Sequence, residues 1–284
     1  MRALPIALAS IIALGIAPSL RATMAAGGHV RPNWRGEALP FPFGVLVLAA
    51  AAVSLGPLVL IELIGKTTVF EGDVASALIF ATGVAALGLI DDTLGGGAEE
   101  ASGPRGWRGH GTAVLGGTFS TGALKAAGSL GLALFVALGL DLGQSTGDVL
   151  LSAGVLVLAT NFFNLLDLRP GRCVKAFVLL GAGLSIGTMD LGPLKALGLF
   201  AGPVVIAGLY DLRERAMLGD TGSNLVGALA GLWLVLSLDT TGEAVALVVL
   251  AALTAYGEFR SISAFVERTP GFRHLDSIGR ITHA

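Results

Sequence analysis

Long runs of apolar residues without a charge are the feature of this chain that most restricts its fold. A helix needs about 20 mainly apolar residues to cross a bilayer, whereas a transmembrane strand alternates between lipid-facing and lumen-facing residues. The apolar runs do not alternate. We therefore predict an all-α, polytopic transmembrane helical bundle that forms one domain over residues 1–284. About nine spans are expected, near residues 4–20, 43–64, 74–90, 124–140, 149–166, 174–189, 191–209, 222–238 and 244–257.

The overall composition excludes several other classes of protein. Only 13% of the residues are charged, compared with about 25% in soluble domains. With 18 Lys and Arg against 20 Asp and Glu, the net charge is −2, which argues against a nucleic-acid-binding protein. The single cysteine, Cys173, allows no internal disulfide and is predicted to be a packing residue.

The positions of Lys and Arg predict how the chain is oriented. Cytoplasmic loops of membrane proteins carry an excess of these residues. If the N-terminus lies outside, every Lys and Arg falls on the cytoplasmic side except Arg2, Lys66 and Lys195. We predict a multi-pass plasma-membrane protein with an N-out/C-in topology. In this topology the run 4–20 is a retained span rather than a cleaved signal peptide.

Three polar clusters lie at the predicted inner ends of spans. The first contains Asp91 and Asp92, the second covers 161–172, and the third covers 218–224. Each cluster alone has an ordinary structural explanation as a solvated helix end, an interhelical hydrogen-bonding group or an N-cap. Three carboxylate clusters on one membrane face are harder to explain independently. We therefore expect the soluble chemistry of the protein to take place there.

The clustered carboxylates predict a divalent cation. Adjacent carboxylates repel each other unless a cation lies beside them, as is expected for Asp91 and Asp92. Mg²⁺ is usually held by one or two carboxylates together with water and substrate phosphates, and Asp220 could contribute from another helix. Mg²⁺ is therefore the expected cofactor, and Mn²⁺ is the alternative. Lys125, at the start of the fourth span, is a candidate counter-charge for a phosphate.

These residues, in their order along the chain, resemble a family of membrane enzymes. Asp91 and Asp92 are followed by Lys125, by an N-x-x-N-x-x-D segment at 161–167 and by G-D-T-G-S at 219–223. This ordered set resembles the polyprenyl-phosphate N-acetylhexosamine-1-phosphate transferases, which include phospho-MurNAc-pentapeptide translocase. The segment 31–40 also resembles the first inner loop of that family, a candidate substrate contact.

The resemblance implies a reaction and its participants. A polyprenyl phosphate would attack a UDP-N-acetylhexosamine, release UMP and leave a lipid-linked sugar diphosphate for cell-envelope synthesis. The implied catalytic residues are Asp91, Asp92, Lys125 and Asp220, with Asp92 and Asp220 at the metal; which aspartate is the base stays open. The implied substrate-binding residues are Asn161, Asn164, Asp167, Arg172, Ser223, Asn224 and His274. Whether the protein forms a homodimer in the bilayer also stays open.

Four departures from the family pattern leave alternatives. The histidine-rich loop of the family is reduced to His274, nine spans are expected instead of ten, and two motif residues differ. Gly95 stands where many members have a lysine, and Pro170 stands where they have an aspartate, so Arg169 or Arg172 is a candidate phosphate ligand. A catalytically silent scaffold or a transporter that keeps the fold is the alternative function. Transport is disfavoured because the predicted spans contain almost no ionisable residues near the bilayer midplane.

Overall fold

The structure, a computed structural model, describes residues 3–70, 74–95, 121–140 and 145–281. Most of these residues are helical. The helices are α1 Leu4–Ala26, α2 Val45–Gly65, α3 Val74–Leu94, α4 Thr121–Gly139, α5 Thr146–Leu166, α6 Arg172–Thr188, α7 Gly192–Ala196, α8 Gly198–Leu212, α9 Gly219–Ser237, α10 Thr240–Phe259, α11 Ile262–Arg268 and α12 Pro270–Ser277.

Six helices among the described residues are long and apolar enough to cross a membrane, namely α1 to α5 and α10. The prediction of a helical membrane protein is confirmed at this level. The remaining three predicted spans correspond to helices that are not among these six, because they are shorter or less apolar. The run 191–209 is divided at Leu197 into the short α7 and the 15-residue α8, α6 has 17 residues, and α9 begins with polar residues.

Helix α9 is the centre of the bundle. Of its 19 residues, 16 are buried. It packs mainly against α3 and α5, and also against α6, while α4 lies beside α3 and α5. Helices α1, α2 and α8 form a second group in which each packs against the other two. A residue near the start of α9 is therefore surrounded by the ends of several other helices.

Local sequence signals set the starts of helices α5 and α10. Ser145 and Asp148 form a capping box at the start of α5, in which the Ser145 hydroxyl accepts from the Asp148 backbone N–H at 3.2 Å. The Asp239 carboxylate accepts from the Gly242 N–H at 2.8 Å at the start of α10. Such caps satisfy N–H groups that have no partner within the helix. Helix α9 has no side-chain cap of its own.

The all-helical prediction omits one small element, a β-hairpin between α1 and α2. Its antiparallel strands are β1 Val30–Pro32 and β2 Ala38–Pro40. Backbone hydrogen bonds join the hairpin and the residues after it to the segment that precedes α9. Met217 N–H donates to Pro40 O at 2.9 Å, Phe43 N–H donates to Met217 O at 2.7 Å, and Gly44 N–H donates to Leu218 O at 2.9 Å. These bonds hold the hairpin beside the start of α9.

Candidate functional site

Three of the predicted catalytic residues meet at one end of the bundle, which we call the site end. Lys125 of α4 places its Nζ 2.9 Å from Asp91 Oδ2 of α3 and 2.5 Å from Asp220 Oδ2 of α9. The two carboxylates also contact each other. The Lys125 and Asp91 side chains are each 19% exposed and that of Asp220 is 32% exposed. The ammonium group thus offsets the repulsion between two carboxylates that remain accessible to solvent.

Two predicted substrate-binding residues extend this cluster. Asn164 of α5 lies beside Ser223, Asp220 and Lys125. The amide orientation that pairs each donor with an acceptor has the nitrogen donating to Ser223 Oγ at 2.8 Å and to Asp220 Oδ1 at 3.2 Å, and the oxygen accepting from Lys125 Nζ at 3.3 Å. This amide orientation gives each of the three neighbours a suitable partner. One or more residues of each of the three sequence clusters therefore meet in a single hydrogen-bonded group.

Asp92 makes a different set of contacts from Asp91. Its Oδ1 accepts from the Asp220 N–H at 3.0 Å, and its Oδ2 accepts from the Thr221 N–H at 2.7 Å and from Thr221 Oγ1 at 2.6 Å. Asp92 is 8% exposed. Its carboxylate thus caps the N-terminus of α9 from another helix, where the helix dipole favours negative charge. Asp92 fixes the backbone that carries Asp220.

A glycine on α3 permits this cap to form. A side-chain methyl group at Gly88 would overlap the backbone carbonyl of Asp220 and lie 2.8 Å from the Thr221 nitrogen. Only a residue without a Cβ lets α3 approach the start of α9 this closely. The position of the Asp92 carboxylate under the N–H groups of α9 depends on that approach.

Replacing Gly88 with Ala is therefore expected to destabilise the protein by about 1–3 kcal/mol, because α3 and α9 must separate. The midpoint of thermal unfolding in detergent measures this effect. Gly131→Ala on α4 is the matched control, since a methyl group there would meet no atom within 4 Å among the described residues beyond its own stretch of helix. Equal unfolding midpoints for the two variants would contradict the proposed close packing of α3 and α9.

A cavity of about 210 Å³ opens beside the cluster, between the hairpin and the site ends of α5, α8 and α9. Its wall includes both cationic and aromatic groups. The Arg169 guanidinium lies 4.1 Å from the centroid of the Trp34 ring, and the Arg31 guanidinium lies 4.0 Å from that of Phe41. Arg31 also donates to the Asp92 backbone carbonyl at 3.1 Å. Asp220 lines the same cavity, so cationic groups and one carboxylate of the Lys125 cluster face one space.

Asp167 adds a further carboxylate to the cavity wall. It follows the last residue of α5, and its side chain makes no hydrogen bond or ion pair with any residue that the structure describes. Burial holds the pKa of Asp167 well above its usual range, and the carboxylates of Asp211, Asp220 and Asp92 raise it further. Asp167 therefore adds an acidic group, with no side-chain partner among the described residues, to a wall that also contains Arg31 and Arg169.

The donor set is compatible with Mg²⁺ but does not form a closed metal site. The described residues contain no group of three or more His, Cys, Asp or Glu side chains arranged to hold a metal ion. Asp220 and Asp167 both line the cavity, and Mg²⁺ commonly takes one or two carboxylates with water and phosphate oxygens. Both Asp92 oxygens already accept hydrogen bonds. Both Asp220 oxygens are also engaged, by Lys125 and Asn164, so these contacts do not select among the carboxylates, and metal binding by Asp92 and Asp220 stays a prediction.

Four predicted substrate-binding residues neither line the cavity nor join the hydrogen-bonded group around Lys125. Arg172 is buried, and its guanidinium pairs with Asp276 at 2.9 Å. His274 is exposed on α12. The Nδ2 atoms of Asn161 and Asn224 are buried and have no hydrogen-bond partner among the described residues. The predicted roles of these four residues remain untested.

Two residues that were not predicted from the sequence also shape this site. Thr221 supplies two of the three hydrogen bonds that Asp92 accepts. The buried Asp211 accepts from the Gly171 N–H at 2.6 Å and so fixes the loop that carries Asp167 and Arg169. Asp211 lies one residue before the end of an apolar helix, and this position was an available signal, since buried carboxylates usually have a specific partner.

Comparison with known proteins adds no relative to this description. No protein-family model matches the chain, and no curated protein matches it.

Proposed function

We propose that this protein is a Mg²⁺-dependent transferase that moves a sugar-1-phosphate from a UDP-N-acetylhexosamine to a polyprenyl phosphate and releases UMP. The main support is that Lys125 bridges Asp91 and Asp220 beside a cavity with cationic and aromatic walls. The proposed substrates are those of the enzyme family that the sequence motifs resemble. Cationic groups next to accessible carboxylates suit a reaction between two phosphorylated reactants, in which positioning and charge neutralisation provide most of the catalysis.

In the proposed reaction, an oxygen of the lipid phosphate forms a bond to the β-phosphorus of the UDP-sugar. The bond from that phosphorus to the oxygen bridging the two phosphates breaks, and the electron pair leaves with UMP. Lys125 neutralises charge on the reacting phosphates, and Asp91 takes the proton of the lipid phosphate where it is protonated. Asp91 is preferred to Asp92 as the base because both oxygens of Asp92 are engaged by the backbone of α9.

Arg31 and Arg169 are proposed to hold the diphosphate within the cavity, since both line it and guanidinium groups suit phosphate oxygens. When bound, Mg²⁺ supplies further neutralisation of phosphate charge. Asp220 and Asp167 would hold the ion. Asn164 would hold the side chains of Asp220 and Lys125 in position through its hydrogen bonds to both.

The proposed topology has nine crossings, with the N-terminus outside and the site end in the cytoplasm. Helices α6, α8 and α9 would cross in addition to the six long apolar helices. Support comes from Asp91, Lys125 and Asp220, which contact one another from helices that end or begin at the same level. The excess of Lys and Arg in the loops on that side favours the cytoplasm.

An assay of purified protein tests this function. The protein is incubated with polyprenyl phosphate and a panel of UDP-sugars, and UMP is measured with Mg²⁺, with Mn²⁺ or with EDTA. We expect UMP only when lipid phosphate, one UDP-N-acetylhexosamine and a divalent cation are all present. Folded protein that releases no UMP with any sugar would contradict the proposal and favour a catalytically silent scaffold. Full activity in EDTA would contradict the metal requirement.

A further inference from the structure

The segment that follows the last long helix has features that neither the reaction nor the bundle requires. We call residues 260–281 the C-terminal segment; it contains α11 and α12. Helix α10 is long and apolar enough to cross a membrane and ends at Phe259. Only Arg260 and Ser261 separate it from α11. The C-terminal segment therefore starts at the membrane surface.

One side of the C-terminal segment is apolar and uncovered. Phe272 is 50% exposed and Phe265 is 44% exposed. Their rings are 5.8 Å apart, and the Phe265 ring lies 5.5 Å from that of Tyr256 on α10. Together with Leu275, which is also exposed, these side chains form an apolar ridge that continues from α10. Aromatic residues of this kind are typical of membrane interfaces.

The same segment presents cationic groups to solvent. Arg260, Arg268 and Arg273 are exposed, and their side chains make no hydrogen bond or ion pair with another residue that the structure describes. The nearby acids offset this charge only in part. Glu267 pairs with Arg169 at 3.2 Å and Asp276 pairs with Arg172, which leaves Glu258 as an exposed acid. An apolar ridge bordered by free arginines complements a surface of anionic lipid.

The segment is also fixed to the loop beside the cavity. Arg172 donates to both carboxylate oxygens of Asp276, at 2.9 and 3.0 Å. Arg280 donates to Asp276 at 2.9 Å and to the Pro170 carbonyl at 3.0 Å, and Pro170 lines the cavity. Burial raises the pKa of the Asp276 carboxyl, but the pairing with Arg172 and Arg280 holds this pKa below its usual value. These bonds join the C-terminal segment to Arg172 and Pro170, which lie outside it.

We propose that the C-terminal segment is an interfacial anchor: its apolar ridge enters the lipid, and Arg260, Arg268 and Arg273 bind the headgroup phosphates of anionic lipids. The anchor holds the loop beside the cavity at a fixed depth, through the contacts of Asp276 and Arg280. This inference is independent of the proposed reaction.

The depth of the segment can be measured directly in the full-length protein. In a Cys173→Ala background, Leu275→Cys carries an environment-sensitive fluorophore, and the protein is reconstituted into vesicles that contain lipids with a nitroxide on the acyl chain. Glu37→Cys, exposed at the hairpin turn, is the matched control. We expect strong quenching at residue 275 and weak quenching at residue 37. Quenching at residue 275 no greater than at residue 37 would overturn the proposal.

The charge requirement is tested by lipid composition. Vesicles of phosphatidylcholine alone are compared with vesicles that also contain phosphatidylglycerol, and each arginine near an anionic surface is expected to favour the bound state roughly fivefold. Phosphatidylglycerol should increase quenching at residue 275, and this increase should be lost in R260Q/R268Q/R273Q. The control R21Q/R213Q/R215Q removes three other exposed arginines and should keep it. The same response in both triple variants would overturn the role of the three arginines.

Discussion

Asp220→Asn is expected to lower the rate of UMP release about 100- to 1,000-fold while the protein remains folded. Asp220 is the residue on which the contacts at the site end converge, because it pairs with Lys125, accepts from Asn164 and lines the cavity. Asparagine has nearly the same size but no charge. The variant would lose the carboxylate proposed to hold Mg²⁺ and would leave Lys125 paired only with Asp91.

The matched control for this variant is Asp239→Asn, which makes the same chemical change at another helix start. The Asp239 carboxylate accepts from the Gly242 N–H, and asparagine caps helices about as well as aspartate does. We expect the control to keep wild-type turnover. Thermal unfolding in detergent should give similar midpoints for both variants. Equal turnover in the two would show that the Asp220 charge has no part in the reaction.

The helices were predictable from the sequence because length and apolar character are local properties of the chain. The runs that became α1 to α5 and α10 needed no knowledge of their neighbours. Helix α9 was predicted as one span among nine, although its 16 buried residues make it the centre of the bundle. The central position of α9 depends on its packing against α3 and α5. Contacts between distant helices of this kind cannot be predicted from the pattern of a single sequence.

The convergence of Asp91, Lys125 and Asp220 could also be expected, since all three lie at helix ends on one predicted side of the membrane. What each carboxylate contacts could not be expected. Asp91 and Asp92 are neighbours in sequence, but successive helical residues point in directions about 100° apart. Which of them would meet Lys125 and which would meet α9 depended on how α3 is rotated against α9, and therefore on the close approach at Gly88.

The cavity wall was the least predictable part of the site. Trp34 and Arg31 belong to a segment that was noted only as a candidate substrate contact, and Arg169 was one of two alternative phosphate ligands. The hairpin brings them together because its strands are bonded to the segment before α9. Arg172, the other alternative, pairs with Asp276. The two residues are more than 100 positions apart in sequence, so no local sequence pattern predicts this pair.

The two neighbouring aspartates are expected to give different results when each is replaced with alanine. Asp92→Ala should lower the free energy of unfolding by at least about 2 kcal/mol, because it leaves two buried N–H groups at the start of α9 and the Thr221 hydroxyl without their acceptor. It should also lower turnover, since Asp220 loses its fixed backbone. Asp91→Ala should lower turnover with a much smaller change in stability, because Lys125 keeps its ion pair with Asp220.

Thermal unfolding in detergent and the UMP assay together separate these two roles. Asp92→Asn keeps one acceptor oxygen, so it should recover part of both stability and turnover relative to Asp92→Ala. Asp91→Asn removes the charge proposed to accept the proton and should recover little turnover. If the two alanine variants lost stability equally, the cap formed by Asp92 would not be what holds α9. Recovery by asparagine at residue 92 but not at residue 91 would separate a carboxylate that fixes the site from one that reacts within it.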